Sequence, residues 1–124
     1  MASSLLPARV VLVVDDEPLI RMNAVDMLLD AGFQVLEAAD AAEALQVLAD
    51  HPEIAVLFTD INMPGDMDGL DLARRVHDSR PDVHLIVTSG KVTPSAGTIP
   101  DGDFLGKPYR EHQFIALVEA AFKR

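Results

Sequence analysis

The chain has 124 residues, of which 49% are hydrophobic and 24% charged, so it has the size and composition of one folded domain. Its net charge of −10 argues against nucleic acid as a partner, because that binding depends on basic side chains that neutralise phosphates. It has no cysteine for a disulfide, and no apolar run approaches the roughly 20 residues of a membrane helix. We therefore expect a single cytoplasmic domain over residues 1–124, with residues 1–7 as a loose tail.

Five apolar runs alternate with stretches of helical periodicity along the chain, and this alternation predicts a doubly wound parallel sheet of the α/β class. The predicted strands cover residues 9–14, 33–38, 54–59, 84–88 and 104–106. The predicted helices cover about residues 18–31, 41–50, 70–79 and 110–123. The first strand is apolar without alternation, so helices should cover it on both faces. The second strand alternates in part, which suits an edge.

Capping and breaking residues set the ends of the predicted helices. Asp16 is suited to cap the first helix, Pro18 fits its first turn and Gly32 ends it. Asp40 and Glu43 have the spacing of a capping box at the start of the second helix. The first helix carries apolar residues near one face: Leu19, Met22, Val25 and Leu29.

The crossover segment, residues 91–102, breaks this rhythm between the fourth and fifth strands. It contains Pro94, Gly97 and Pro100, and an interior Pro costs a helix roughly 3 kcal/mol while a Gly costs about 1 kcal/mol. We therefore expect an ordered loop here in place of a regular helix. Two apolar residues of this segment are expected to cover the sheet: Val92 and Ile99.

Charged side chains stand at the ends of three predicted strands. The pair Asp15-Asp16 follows the first strand, Asp60 ends the third, and Lys107 follows the fifth. Because the carboxyl ends of parallel strands meet at one edge of a sheet, these side chains should lie together. Converging carboxylates repel one another unless a cation neutralises them, and hard oxygen ligands suit Mg²⁺. An aspartate can also act as a nucleophile toward a phosphoryl group, whose charge Lys107 and the Thr88 hydroxyl can neutralise.

Four motifs occur in order at the strand ends: Asp15-Asp16, Asp60-Ile61-Asn62-Met63-Pro64, Thr88-Ser89-Gly90 and Lys107-Pro108. In this order and spacing they resemble the receiver domain of bacterial two-component response regulators, over essentially the whole chain. The resemblance implies a flavodoxin-like sheet in the order 2-1-3-4-5. It also implies a protein that takes a phosphoryl group from a histidine kinase or histidine phosphotransfer protein. The output would be an altered surface for an unknown downstream protein, or the removal of phosphate from a shared relay.

The resemblance assigns the metal site and the phosphoacceptor to four residues. Asp60 would accept the phosphoryl group. The side chains of Asp16 and Asp60 would bind Mg²⁺ together with the backbone carbonyl of Asn62. Asp15 would contribute mainly through water. Each of these aspartates also has an ordinary interpretation, since turn residues and helix caps are often acidic.

Three further residues receive roles from the same resemblance. Thr88 would bond a phosphoryl oxygen, and Lys107 would pair with the phosphoryl group. Phe104 matches the aromatic position whose ring orientation reports the active state, so Phe104 and Thr88 would form the switch. Taken singly, the same side chains could be a strand end, a surface lysine and a core aromatic residue. Four histidines show no ligand spacing and are expected at the surface: His51, His77, His84 and His112.

The chain departs from the family pattern in two places. The loop over residues 63–69 looks one residue longer than usual, and the fourth helix of the family fold should be short or replaced by a loop. A group of alphaproteobacterial single-domain receivers is similar in this respect, and Gly90 and Lys107-Pro108-Tyr109 match part of its pattern. We expect the crossover segment to be mobile without phosphate and more ordered with it, which amide exchange on both forms would test.

Several functions are compatible with these residues. We expect a stand-alone receiver, because nothing follows Arg124, with no enzymatic activity beyond self-phosphorylation and slow self-dephosphorylation. One alternative is a Mg²⁺-dependent phosphatase with an aspartyl nucleophile, although phosphatases of the haloacid-dehalogenase type place a second Asp where this chain has Asn62. A second is a receiver taken from a larger hybrid kinase or regulator. A third is a pseudo-receiver that only binds a partner.

Overall fold

The computed structural model describes residues 9–95, 98–99 and 102–123, and within them five strands alternate with four helices. The strands are β1 (Val10–Val14), β2 (Gln34–Ala38), β3 (Ile54–Asp60), β4 (His84–Ser89) and β5 (Gly102–Gly106). The helices are α1 (Pro18–Asp30), α2 (Ala41–Asp50), α3 (Gly69–Ser79) and α4 (Glu111–Phe122). No helix in this part of the chain is long and apolar enough to cross a membrane. The tail predicted at residues 1–7 lies outside the described residues.

The five strands form one sheet in the order β2-β1-β3-β4-β5, and every neighbouring pair is parallel, which confirms the predicted fold and strand order. All residues of β1 are buried. One face of the sheet packs against α2 and α3, and the other packs against α1 and α4. Because all strands run the same way, the ends of β1, β3, β4 and β5 meet at one edge, where the candidate site residues stand.

Of the four apolar residues that the sequence marks on α1, Val25 packs against the core and the other three are exposed. Leu19, Met22 and Leu29 are 79%, 55% and 53% exposed. Ala24 and Leu28 are buried against the sheet in their place. The helix has apolar side chains around most of its circumference, so its periodicity does not select the buried side.

The start of α1 also differs from the prediction. Glu17 occupies the N-cap position and no side chain caps the helix there, so Asp16 is not the cap. The turn is stabilised instead by Asp15, whose Oδ1 accepts a hydrogen bond from the Glu17 backbone N–H at 3.0 Å. Pro18 begins the helix as predicted. The Asp16 carboxylate therefore remains free of the helix end and lies near the carboxylate of Asp60.

The start of α2 follows the predicted capping pattern with one change. The Glu43 backbone N–H donates to Asp40 Oδ1 at 2.8 Å, which satisfies one of the free amides of the first turn. The Glu43 side chain reaches back as expected, but it accepts from the backbone N–H of Ala39 rather than from that of Asp40. The α3 helix has a full capping box between Asp68 and Asp71, which the sequence analysis did not identify.

The crossover segment contains no helix in its described parts, residues 91–95 and 98–99. This agrees with the expectation that the fourth helix of the family fold is short or replaced by a loop. Two of the residues on which the expectation rests, Gly97 and Pro100, lie outside the described residues.

Ile99 is the residue of the crossover segment that packs on the sheet, as predicted. It contacts the core cluster on the α2 and α3 side. A Cβ at Gly102 would lie 2.5 Å from Ile99 Cγ2 and 2.9 Å from Leu85 Cβ, so the glycine leaves the space that Ile99 occupies. Val92 is 46% exposed, and the prediction that it covers the sheet is wrong. Its backbone N–H donates to Ser89 Oγ at 3.2 Å, in the turn that follows β4.

Candidate functional site

The strand ends bring together most of the side chains that the sequence analysis selected. Asp60 is the last residue of β3, and it lies opposite Thr88 of β4 in the strand register. Asp15 directly follows β1, and Lys107 directly follows β5. The predicted convergence at one edge of the sheet therefore follows from the parallel pairing of β1, β3, β4 and β5, whose carboxyl ends lie at the same level.

The three aspartates form a compact acidic cluster. One carboxylate oxygen from each of Asp15, Asp16 and Asp60 lies within 4.8 Å of the others. Asp15 and Asp60 are buried, and Asp16 is partly exposed. Among the described residues this is the one group of three or more metal-ligating side chains. Hard carboxylate oxygens that are open to water on one side fit the ligand preference of Mg²⁺.

Lys107 supplies the positive charge inside this cluster. Its Nζ lies 3.4 Å from Asp60 Oδ1 and 3.6 Å from Asp15 Oδ2. Burial raises the pKa of Asp60, the Lys107 ammonium opposes this rise, and the nearby charge of Asp15 adds to it. A carboxylate whose charge is only partly compensated in this way favours a second cation beside it. A cis peptide bond joins Lys107 to Pro108.

Three more of the predicted site residues make contacts of their own near the strand ends: Thr88, Phe104 and Asn62. The Thr88 hydroxyl donates to the Leu105 backbone carbonyl at 2.6 Å, so it points to β5 and not to Asp60. Phe104 is partly buried and packs against the core cluster beside α2 and α3. Asn62 is exposed, and its Oδ1 accepts a hydrogen bond from the Ser89 hydroxyl at 2.7 Å.

Arg21 is a site neighbour that sequence reasoning missed. Its Nη1 donates to the backbone carbonyl of Asp15 at 2.7 Å, and its Nε lies 3.1 Å from Glu37 Oε1. The guanidinium thus joins the end of β1 to the end of β2, next to the acidic cluster. Its position on the first turns of α1, shortly after two aspartates, is the sequence feature that could have indicated this role.

Tyr109 is a second missed neighbour, although the sequence analysis quoted it as part of a motif. Its ring packs edge-on against Phe58 and is tilted against Phe114, with centroid distances of 6.0 and 5.4 Å. Burial, with the charges of Asp15 and Asp60, raises the pKa of Tyr109 to about 12. The phenol is therefore neutral at physiological pH, and its uncharged ring lies near the acidic cluster.

His84 is not the surface residue that the sequence analysis expected. It begins β4, is partly buried, and its Nε2 lies 2.8 Å from Asp103 Oδ2 on β5. This pair stands at the opposite edge of the sheet from the acidic cluster, because parallel strands start there. It has no part in the candidate site.

Known proteins are similar to this chain over most of its length. The family model described as the response regulator receiver domain matches residues 11–119. The response regulator receiver protein CpdR of Brucella abortus is 31% identical, with 88% of this chain and 92% of the relative covered. The sensor kinase CckA of Brucella abortus is 31% identical over 99% of this chain. The chain spans 13% of that kinase, and 52% of the Escherichia coli transcriptional regulatory protein PhoP, to which it is 34% identical.

Solved structures show the same likeness. A response regulator receiver protein from Sinorhizobium medicae has a TM-score of 0.86 and 28% identity, with 94% of this chain and 95% of that chain covered. The receiver domain of the hybrid histidine kinase CckA has a TM-score of 0.78 and 30% identity, with 90% and 97% covered. The chemotaxis protein CheY4 of Vibrio cholerae has a TM-score of 0.82 at 25% identity, with 92% and 98% covered.

Proposed function

Because the chain belongs to the response regulator receiver domain family, we propose that Asp60 accepts a phosphoryl group from a phosphorylated histidine of a kinase or phosphotransfer protein. The observation that carries this proposal is the position of Asp60. Its carboxylate ends a buried strand, lies within 4.8 Å of two other aspartates and has an ammonium group 3.4 Å away. A nucleophilic carboxylate next to both a candidate cation site and a fixed positive charge suits phosphoryl transfer.

The chemistry of the proposed step is a simple displacement. An Asp60 carboxylate oxygen attacks the phosphorus of the phosphohistidine, and the P–N bond breaks as the new P–O bond forms. The bonding electron pair leaves with the imidazole nitrogen. Lys107 is close enough to Asp60 to pair with the charged oxygens of the transferred group. Water later hydrolyses the acyl phosphate and returns Asp60 to its free form.

The acidic cluster fits the Mg²⁺ that receiver domains use. Asp16 and Asp60 would hold the ion through their carboxylates, with the backbone carbonyl of Asn62 as the third protein ligand and Asp15 acting through water. When bound, the ion supplies positive charge that offsets the charge of the phosphoryl oxygens. The donor set is made of hard oxygens only, with one exposed side, which suits a cation that keeps several waters.

The switch residues support an output through β4 and β5. Thr88 now donates to the Leu105 carbonyl, so it would have to release this bond before it could contact a phosphoryl oxygen. Phe104 lies opposite Val87 in the strand register, next to Thr88 along β4. A movement of Thr88 toward Asp60 would thus change the packing beside Phe104. We propose that this movement alters the surface that a downstream protein reads.

The exposed face of α1 offers a surface for the phosphodonor. Leu19 and Met22 project from the end of α1 that is nearer Asp16, and both are largely exposed. Large apolar side chains beside a reactive group are typical of a protein-binding surface. We propose that a cytoplasmic histidine kinase or phosphotransfer protein docks here, and that the chain acts as a receiver module and has no catalytic turnover of other substrates.

Intact-mass spectrometry tests the proposed chemistry. The protein is incubated with acetyl phosphate in the presence of Mg²⁺ or of EDTA, and Asp60→Asn is treated in the same way. We expect a gain of one phosphoryl group, about 80 Da, that requires Mg²⁺ and is absent in Asp60→Asn. Asp66→Asn is the matched control, because Asp66 is an exposed aspartate of the loop that follows β3. It should gain the phosphoryl group like the unmodified chain.

Other outcomes of this experiment identify the alternatives. Steady release of inorganic phosphate with multiple turnovers would support an aspartyl phosphatase instead. No gain of mass from acetyl phosphate or from a phosphorylated histidine phosphotransfer protein would contradict the proposal and favour a pseudo-receiver. A gain that survives in Asp60→Asn would place the modification on another residue.

A further inference from the structure

The hydroxyl group of Ser89 is a junction between two segments of the chain, the loop after β3 and the start of the crossover segment. Ser89 is the last residue of β4 and is buried. Its Oγ donates to Asn62 Oδ1 at 2.7 Å. The same oxygen accepts from the backbone N–H groups of Lys91 at 3.1 Å and Val92 at 3.2 Å. The loop after β3 and the start of the crossover segment are therefore bound to one atom.

This junction uses the full hydrogen-bonding capacity of the hydroxyl. A serine hydroxyl has one proton to donate and two lone pairs to accept with, and here all three are engaged. A displacement of any one partner must therefore lengthen or redirect the bonds to the others. An alanine at this position would leave two backbone amides and one side-chain oxygen without this partner.

Asn62 connects this junction to the acidic cluster. It is two residues after Asp60, and its backbone lowers the pKa of the Asp60 carboxyl. Under the proposed function its carbonyl is also a ligand of Mg²⁺. Binding of the ion would hold the Asn62 backbone in one position. The Asn62 side chain, which is hydrogen-bonded to Ser89, would then be held in place as well.

Lys91 and Val92 connect the junction to the crossover segment. The described residues on either side of them are not helical, so these amides do not point to carbonyls of a preceding helical turn. A hydroxyl that accepts from amides two and three residues later is a common local turn motif. The bond to Asn62 is different, because it joins residues that are 27 positions apart in the sequence. A local turn would need only the bonds from the Lys91 and Val92 amides.

We infer that Ser89 is a positioning residue that fixes the Asn62 loop beside Asp60 and couples this loop to Lys91 and Val92. The inference rests on the proposed function for the metal site and adds a route from that site to the crossover segment. This route is separate from the Thr88 hydroxyl, which bonds Leu105 on the other side of β4. It gives a receiver whose crossover segment shows no helix in its described residues a way to report the state of its site.

Amide NMR spectra recorded during a titration with Mg²⁺ alone test this inference. In the unmodified protein, Mg²⁺ should shift the amide resonances of Asp16, Asn62, Lys91 and Val92 together. In Ser89→Ala the shifts at Lys91 and Val92 should be lost, and the affinity for Mg²⁺ should fall about two- to tenfold, the effect of one hydrogen bond. Ser89→Thr keeps the hydroxyl and should restore both readouts.

Two further variants separate the coupling from a general loss of structure. Asn62→Ala removes one bond of the junction on an exposed side chain and leaves the bonds to Lys91 and Val92 in place. It should also abolish the Mg²⁺-dependent shifts at these two amides. Ser79→Ala removes an exposed hydroxyl on α3 that donates to the Arg75 carbonyl of the same helix, and it should behave like the unmodified protein.

The outcomes of the titration are distinguishable. Shifts at Lys91 and Val92 of unchanged size in Ser89→Ala and Asn62→Ala would overturn the coupling, because the signal would then travel along the strand backbone. Shifts at Asp16 and Asn62 without any at Lys91 and Val92 in the unmodified protein would overturn it too. If Mg²⁺ shifts none of these resonances, the metal site itself is refuted, and the inference with it.

Discussion

The backbone of Gly69 lies directly against the backbone carbonyl of Asp60. A Cβ at Gly69 would overlap the Asp60 carbonyl oxygen and would lie 2.8 Å from the Cα of Ile61. The Gly69 N–H also donates to the Ile61 carbonyl at 2.9 Å. The first turn of α3 is thus packed on the end of the strand that carries the proposed phosphoacceptor, and this close approach requires a residue without a side chain.

Gly69→Ala should therefore damage both the fold and the site. The added methyl group forces α3 or the Asp60 backbone to move, and we expect the free energy of unfolding to fall by about 2–4 kcal/mol. Urea unfolding measures this loss. Phosphorylation by acetyl phosphate should also slow at temperatures where the variant is folded, because Asp60 no longer has its position relative to Lys107.

Gly65→Ala is the matched control for that substitution. Gly65 lies in the loop before α3 with φ of +101°, and nothing lies within 4 Å of a Cβ placed on it. Gly65→Ala should lower the free energy of unfolding by about 1 kcal/mol, the usual cost of a left-handed conformation for a residue with a side chain. Equal losses in the two variants would show that the contact of Gly69 with Asp60 is unimportant.

The elements and the strand-end residues could be predicted from the sequence because they depend on local patterns. Apolar runs mark the buried strands, and in a parallel sheet their ends must meet at one edge. Asp15, Asp16, Asp60 and Lys107 were selected on that basis, and the structure brings all four together. Periodicity failed for α1, since apolar residues surround the helix and only packing against the sheet decides which side is buried.

Contacts between distant residues could not be predicted in the same way. The pair His84 and Asp103 depends on the register between β4 and β5, which no residue in either strand specifies alone. The bond between Ser89 and Asn62 depends on how the loop after β3 is folded. In each case the residues have ordinary surface or turn interpretations, and only the three-dimensional fold brings them within hydrogen-bond distance.

Asp60→Asn should make the fold more stable at neutral pH when no Mg²⁺ is present. Burial raises the pKa of Asp60, so the folded state disfavours its charged form. Above this pKa the charge reduces stability, and the reduction disappears as the pH falls and the carboxyl takes up a proton. We expect Asp60→Asn to raise Tm by about 2–5 °C at pH 7. The difference should shrink at acidic pH.

Thermal unfolding followed by circular dichroism across a pH series checks this prediction. EDTA keeps the acidic cluster free of divalent ions. Asp66→Asn serves as the control, since the Asp66 side chain is exposed and its removal should leave Tm nearly unchanged at every pH. A lower Tm for Asp60→Asn than for the unmodified protein at neutral pH would mean that the ion pair with Lys107 outweighs the cost of burial.

Tyr109 should titrate far above the ordinary range of tyrosine. It is the single tyrosine of the chain, so ultraviolet absorbance reports its ionisation without interference. In the folded protein the midpoint should lie at about 12, against 10.0 for an unperturbed side chain. Because the unfolded chain loses this proton first, stability should fall as the pH rises through that interval.

The same titration in urea provides the control for Tyr109. Unfolding exposes the ring and separates it from Asp15 and Asp60, so the midpoint should return to about 10. Asp60→Asn removes one of the two charges and should lower the midpoint in the folded protein slightly, since burial is the main cause. A native midpoint near 10 would contradict the packing of Tyr109 against Phe58 and Phe114.

Arg80 joins three chain segments at the opposite edge of the sheet. Its Nη1 donates to the Leu48 carbonyl at 3.1 Å, and its Nη2 donates to the carbonyls of Pro52 and Ile54, each at 3.0 Å. The guanidinium thus binds the end of α2, the following turn and the start of β3. Its side chain is largely buried, which makes these charge-assisted bonds stronger than surface ones.

Arg80→Ala should lower the free energy of unfolding by about 2–3 kcal/mol, because it leaves three backbone carbonyls without their donor. Arg74→Ala, in the helix that ends just before Arg80, is the matched control. Arg74 pairs with Asp71 at the exposed surface of α3, and its loss should cost roughly 0.5 kcal/mol or less. Urea unfolding measures both. Acetyl phosphate should still modify folded Arg80→Ala at the normal rate, since Arg80 binds the start of β3 and Asp60 lies at its end. A slowed reaction would show that the hydrogen bonds of Arg80 also set the geometry of the site.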